Sequence, residues 1–398
     1  MVVDFCAPAA DNAVVDFPVV ASLPPISPRR HRLSLGLLAL VAVGLCNCVT
    51  PGPHAASADE AALEGDAPLA EHDRYVDIDG AFLRVRVQGD VGGGAVPVLF
   101  LHGYGSRLDG WRAVQPVVAA DRLTVSFDQR GFGLSERPAG AYGPERHADD
   151  AVAVLDALQI ERAVVVGHSY GGGVALRMLL RHPERVAGLV LVDTFALSSQ
   201  MPAAFHVAKA PVVGEAIFGA FFDEVPGEKY LLAFHDAQRF ATAKALEEMK
   251  RLMARPGSTF AALETVRGMD YQDVEADYAA AVVDVPRLLV WGEDDRVTPL
   301  RQGKALAARL DSDLVVVPEC GHMPSWERPR VVVDAIARVA AQVSLSPAAR
   351  PAKAKKPAKK AEPVPVLAPE PTRADEDEDE DSEDKEDDVG ADDEAGTP

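Results

Sequence analysis

The chain has 398 residues and a formal net charge of −21. That balance argues against a nucleic-acid-binding body, because a phosphate-binding surface needs clustered Lys and Arg. From Asp375 onward there are 15 acidic residues and one lysine, net −14, so most of the acidity belongs to the carboxyl tail and the body is only mildly acidic.

At the amino end, Arg29-Arg30-His31-Arg32 precedes an almost wholly apolar run, Leu33 to Val49, and then a small-x-small site, Ala56-Ser57-Ala58. This is the layout of a secretory signal peptide. Residues 1–58 are therefore assigned as a signal peptide or amino-terminal membrane anchor with an atypical prelude, and residues 59–73 as a linker. The expected location is exported, in the periplasm or cell envelope, with membrane attachment through this segment as the alternative. Leu45 and Asn47 are poor residues to precede a lipidated Cys46 or Cys48. Cleavage after Ala58 leaves Cys320 as the single cysteine, which excludes an intramolecular disulfide and does not decide the compartment.

Residues Phe82–Val87 predict antiparallel edge strands. Val96–Leu101 reads as a buried strand followed by the loop His102-Gly103-Tyr104-Gly105-Ser106. Leu123–Asp128 is a further strand, leading into Gln129-Arg130-Gly131-Phe132-Gly133-Leu134-Ser135. The apolar run Ala163–Val166 predicts another strand, and Gly173–Leu180 a helix. Between them stands Gly167-His168-Ser169-Tyr170-Gly171, the Gly-x-Ser-x-Gly turn that exposes a serine at the end of a sheet. Glycine two residues either side of the serine leaves room for the crossing of strand and helix. Gly188–Val192 is a strand ending at Asp193. Val285–Trp291 is another, running into Gly292-Glu293-Asp294-Asp295-Arg296-Val297-Thr298-Pro299. Leu314–Val317 is a short strand before Pro318-Glu319-Cys320-Gly321-His322.

A serine is a weak nucleophile at neutral pH and needs a base, and the base needs an orienting carboxylate. Ser169, Asp295 and His322 supply the three groups in the chain order Ser…Asp…His. Asp193 is a rival acid. No zinc-type Cys/His spacing and no phosphate-binding loop is present in the sequence, so no metal and no organic cofactor is expected.

These motifs resemble the α/β-hydrolase superfamily in its capped, esterase-like branch, over residues 74–343. The resemblance implies an α/β fold: a mostly parallel eight-stranded sheet with helices on both faces and a helical cap insertion. It selects Asp295, through Gly292, Asp295 and Pro299, as the acid, and Gly321-His322 as the base. It implies that the oxyanion hole is formed by the backbone N–H groups of Tyr170 and Tyr104, with His102 propping the loop. Asp128 and Arg130 then tie down a neighbouring loop.

The insertion, about residues 195–280, reads as helical, for example Ala241–Arg255 with Leu246, Met249 and Met253 on one face. Eight of the fourteen phenylalanines fall in it: Phe195, Phe205, Phe218, Phe221, Phe222, Phe234, Phe240 and Phe260. They line an apolar pocket or fill the core of the insertion. The expected activity is hydrolysis of small to medium apolar carboxylic esters through an acyl-serine. The alternatives are a C–C bond hydrolase of meta-cleavage type, which needs a basic group for the substrate's acid (Arg177 and Arg267 are candidates), and a ligand-binding sensor on the same fold. The expected partner is a small apolar molecule and not nucleic acid. Residues 344–398 pass from a Lys/Pro/Ala spacer into the acidic run, which carries too much like charge to bury a core and is expected to be disordered.

Overall fold

The computed structural model describes residues 70–90, 94–212, 214–216, 218, 230–272 and 274–345. The proposed signal segment, most of the linker, the tail beyond residue 345, Phe221 and Phe222 lie outside the described residues. Among the described residues no helix is long and apolar enough to cross a membrane.

Eight strands form one sheet: β1 (Asp73–Ile78), β2 (Ala81–Gln88), β3 (Val98–Leu101), β4 (Thr124–Phe127), β5 (Ala163–His168), β6 (Val186–Val192), β7 (Arg287–Gly292) and β8 (Leu314–Val317). Their spatial order is β1-β2-β4-β3-β5-β6-β7-β8. The β1–β2 and β2–β4 pairs are antiparallel and every other pair is parallel. The longer helices are α1 (Pro144–Ala157), α2 (Tyr170–Arg181), α3 (Ala243–Met253), α4 (Ser258–Gly268), α5 (Leu300–Leu310) and α6 (Pro329–Leu345).

The central strands read as unbroken apolar runs because both their faces are covered. Side chains alternate across the sheet with the period of two that a strand imposes. Val165, Leu189, Leu191, Leu289 and Trp291 pack on one face with Val154 and Leu155 of α1, Val174 of α2 and Leu306 of α5. Val164, Val166, Val190, Leu288 and Val290 pack on the other with Trp111 and with Val332, Ile336 and Val339 of α6. The sheet is thus fixed from both sides, and its carboxyl ends are rigid mounting points.

Between β6 and β7 the described residues carry helices and no strand. Helix α3 is narrower than the Ala241–Arg255 stretch, because Thr242 caps it by accepting a hydrogen bond from the Ala245 N–H at 3.2 Å. Leu246, Met249 and Met253 are half-buried. The phenylalanines of the insertion divide between several settings. Phe195 is buried beside Tyr271, their rings 5.7 Å apart. Phe234 stacks on Phe240 at 5.5 Å and meets Trp326 at 5.7 Å, forming a small separate cluster. Phe205 lies 5.6 Å from Tyr104, and Phe260 is exposed.

The turn between β5 and α2 depends on its glycines. A Cβ on Gly171 would come within 2.5 Å of the His102 carbonyl oxygen, and one on Gly167 within 2.6 Å of the Gly172 Cα. These neighbours are backbone and cannot rotate away. Gly171→Ala is expected to cost about 1–3 kcal/mol of stability, as overpacking does, or to open the turn. Thermal unfolding beside the wild type checks this; an unchanged melting temperature with unchanged serine reactivity contradicts it.

Candidate active site

Ser169 occupies the position between β5 and α2 with φ 51° and ψ −121°, a conformation an L residue adopts only when its surroundings enforce it. Its N–H donates to the Val192 carbonyl at 2.9 Å, and its own carbonyl accepts from Gly172 and Phe195, each at 2.9 Å. The backbone is therefore pinned on both sides while the side chain stays partly accessible.

His322 stands in the loop after β8. Its Nδ1–H donates to Asp295 Oδ2 at 2.7 Å. That bond fixes the tautomer and leaves Nε2 as the proton acceptor. Asp295 is buried and closes its own turn: Oδ1 accepts the N–H groups of Val297 at 2.7 Å and Thr298 at 2.9 Å, and Oδ2 accepts the Thr298 hydroxyl at 2.7 Å. Burial opposes ionisation of this carboxyl. The electrostatic interaction and hydrogen bond with His322, together with the Thr298 donors, outweigh it and hold the carboxyl below its usual range.

His322 is joined to the serine turn through the neighbour of Ser169. The His168 ring lies 4.8 Å from the His322 ring, and its Nε2–H donates to the His322 carbonyl at 2.7 Å. Burial, then the charge of His322, push His168 down to about 3, so it stays neutral. On the other side, His322 N–H donates to the Ala233 carbonyl at 2.7 Å. Glu327 accepts from Gly321 N–H at 2.6 Å and from His235 N–H at 2.9 Å. The His322 loop is thereby attached to the serine turn and to the insertion at once.

The loop after β3 lies beside the serine: a Cβ on Gly103 would come 3.3 Å from Ser169 Cβ. His102 is buried and holds this loop, donating from Nδ1 to the Gly103 carbonyl at 2.8 Å and accepting the Gln129 N–H at Nε2, 2.9 Å away. The Tyr104 phenol donates to the Ala262 carbonyl of α4 at 3.0 Å, and its ring packs on Phe132 and Tyr170. Its side chain is thus a wall tied to the insertion. Tyr170 is the first residue of α2, where an N–H has no intrahelical acceptor. Its phenol donates to His147 Nδ1 at 2.7 Å. Asp128 accepts from the Leu108 and Leu134 N–H groups at 2.7 and 2.8 Å, and Arg130 pairs with Asp150 at 2.8 Å, so both brace loops at this end of the sheet.

Asp193, Asp295 and His322 each offer a ligand atom within 4.8 Å of the others, the one such grouping among the described residues. Two of its members are already bonded to each other. Cys320 is buried, and burial raises its thiol far above the usual range. Three contributors carry no motif of their own in the sequence: His168, Thr298 and Glu327. The Asp-x-x-Thr spacing of an Asx-type turn was the one signal that could have singled out Thr298.

The family model described as alpha/beta hydrolase fold matches residues 96–329, and the chain belongs to that family. Over 244 residues it is 33% identical to 2-hydroxymuconate semialdehyde hydrolase of Pseudomonas sp. (strain CF600), covering 59% of this chain and 83% of the relative. Over 251 residues it is 30% identical to 2-hydroxy-6-oxo-2,4-heptadienoate hydrolase of Pseudomonas putida F1, covering 61% and 87%. Among solved structures it is similar to Est816, described as an N-acyl homoserine lactone degrading enzyme, with 28% identity and a TM-score of 0.54 over 66% of this chain and 99% of that one.

His147 and His168 are buried and pushed, chiefly by burial, from 6.5 to about 4 and about 3, and burial also lowers His102. An unfolded chain protonates these rings near the ordinary value of about 6.5. Below that pH the unfolded state binds more protons than the folded one, so stability falls as pH drops from about 6.5 towards about 4. Urea unfolding midpoints are expected to decline across this window, and less steeply in His147→Phe. A midpoint that is flat from about pH 7 to about pH 5 contradicts the neutral assignment.

Proposed function

We propose that the chain is a serine hydrolase that cleaves a carbon–carbon bond beside a ketone or aldehyde carbonyl. Ser169 is the nucleophile, His322 the base and Asp295 the orienting acid, and the N–H groups of Tyr104 and Tyr170 form the oxyanion hole. What carries the choice of bond is the pair of relatives at 33% and 30% identity. A 2-hydroxy-6-oxo-2,4-dienoate contains no ester or amide, so its hydrolysis breaks the chain next to the 6-oxo carbon. This replaces ester hydrolysis as the leading reading of the sequence motifs, because the same three residues serve both bonds.

In this scheme the 2-hydroxydiene first passes to its 2,6-dioxo tautomer, the 2-hydroxyl proton moving to C5; His322 Nε2 then takes the Ser169 proton as Oγ adds to the C6 carbonyl carbon. Negative charge forms on the former carbonyl oxygen, where the two N–H groups meet it. Collapse expels the carbon fragment as an enolate conjugated with its 2-oxo acid, and His322 returns the proton to carbon. Water, deprotonated by His322, then releases the acyl group from Ser169. The helical insertion acts as a lid and the substrate is a small molecule. For location, the basic run Arg29–Arg32 and the apolar run Leu33–Val49 support export to the cell envelope.

Ester or lactone hydrolysis is the second reading, and a specific observation favours it. An acid-bearing substrate needs a cation, and the two sequence candidates are engaged elsewhere. Arg177 is 3% exposed, pairs with Glu145 at 3.2 Å and donates to the Asp270 carbonyl. Arg267 pairs with Glu215 at 2.6 Å and Glu264 at 2.7 Å. The likeness to Est816 supports the same side.

Steady-state kinetics of the purified protein on a 2-hydroxy-6-oxo-dienoate and on p-nitrophenyl esters of graded length separates the readings. The expected kcat/KM favours the dienoate by at least about tenfold, and Ser169→Ala lowers both rates by about 10³-fold or more. A ratio reversed in favour of esters puts the second reading first. Turnover that survives in Ser169→Ala removes Ser169 as the nucleophile.

A further inference from the structure

Asp193, at the end of β6, is a buried acid beside Asp295 and His322 that the proposed mechanism does not use. It is fully buried, and its backbone lies in the left-handed region at φ 42°, which non-glycine residues occupy rarely and mostly in constrained places. Its N–H donates to the Val290 carbonyl at 3.0 Å. Oδ1 accepts the Gly292 N–H at 2.8 Å, on the strand that leads into the Asp295 turn. Oδ2 has no hydrogen-bond partner among the described residues. The polar group to hand is Asp295, which shares with Asp193 and His322 the cluster spanning 4.8 Å.

Two adjacent buried carboxylates cannot both be ionised at low cost. Asp295 has the donors of an anion: two backbone N–H groups, the Thr298 hydroxyl and His322. Asp193 has one N–H and an orphan oxygen, and no cation pairs with it among the described residues. Glu327 acts on Asp193 in the same direction as Asp295.

We propose that Asp193 is a neutral carboxylic acid whose O–H donates to the Asp295 carboxylate, making it a positioning residue for the acid–base pair. Burial, then the charge of Asp295, push its carboxyl well above the usual range, in accord with that protonation state. The proton satisfies the orphan oxygen, since a protonated carboxyl has a hydrogen to donate. It also gives Asp295 a fixed support on the side away from His322. Asp193 touches no reacting atom and acts through Asp295.

The proposal rests on the serine-hydrolase reading, but its test does not depend on which bond is cut. Fluorophosphonate labelling of Ser169 requires only the nucleophile and its base. Asparagine keeps the shape and the donor of a protonated acid; alanine keeps neither. Asp193→Asn is expected to be labelled within about threefold of the wild-type rate, and Asp193→Ala about 10–100-fold more slowly, the cost of a misplaced catalytic group. Infrared spectroscopy of the wild type at neutral pH is expected to show a buried carboxylic-acid carbonyl band that Asp193→Asn lacks. An Asn variant labelled as slowly as the Ala variant means that an ionised Asp193 is required and overturns the proposal, as does absence of the band. Should Asp193→Ala fail to fold, the Asn variant and the band still decide. Wild-type protein that the probe does not label at Ser169 counts against the hydrolase reading, while the infrared result stands by itself.

Discussion

The crossing of β5 and α2 at Ser169 is the constraint on which the rest of the site depends. The approach is close enough that Gly171 faces the His102 carbonyl and Gly172 abuts Thr194, and only glycine fits either place. The strain at φ 51° is held by hydrogen bonds to β6 and from the segment that follows it. Strained geometry of this kind persists only when the surrounding structure over-determines it. Here the over-determination comes from a sheet packed on both faces, which fixes the ends of β3, β5, β6 and β7 relative to one another.

The acid–base pair is assembled from parts far apart in sequence and held by local closure at each part. Asp295 fixes its own turn through Val297 and Thr298, and Thr298 also lies 3.2 Å from His322 Nδ1. His168 ties the His322 backbone to the serine turn. Ala233 and Glu327 tie the same loop to the insertion, and Tyr104 ties the loop beside the serine to α4. The insertion is therefore bonded both to the His322 loop and to the loop after β3.

Much of the scaffold was legible in the sequence because burial on both faces writes a strand as an apolar run: Val96–Leu101, Ala163–Val166, Gly188–Val192 and Val285–Trp291 each contain an observed strand or most of one. The nucleophile turn and the Gly-x-x-Asp-x-x-x-Pro turn were legible because backbone geometry restricts their residue types. The insertion was less legible. Its helices are short, its apolar stripe on α3 is half-buried, and its phenylalanines divide between sheet core, local cluster and surface. His168, Glu327 and the protonation of Asp193 act across long sequence separations, the His168–His322 bond spanning 154 residues, and no local pattern encodes them. Substrate class was not legible because ester and C–C hydrolysis use the same triad; it is identity to relatives, not spacing, that favours C–C hydrolysis.

The most direct test of the account is a crystal structure of the adduct between Ser169 and a small phosphonate, whose P–O oxygen imitates the charged oxygen of the tetrahedral intermediate. The account predicts phosphorus bonded to Ser169 Oγ, its oxygen about 2.7–3.1 Å from the N–H groups of both Tyr104 and Tyr170, and His322 still bonded to Asp295. An adduct on another residue, or an oxygen that faces away from both N–H groups, would contradict it.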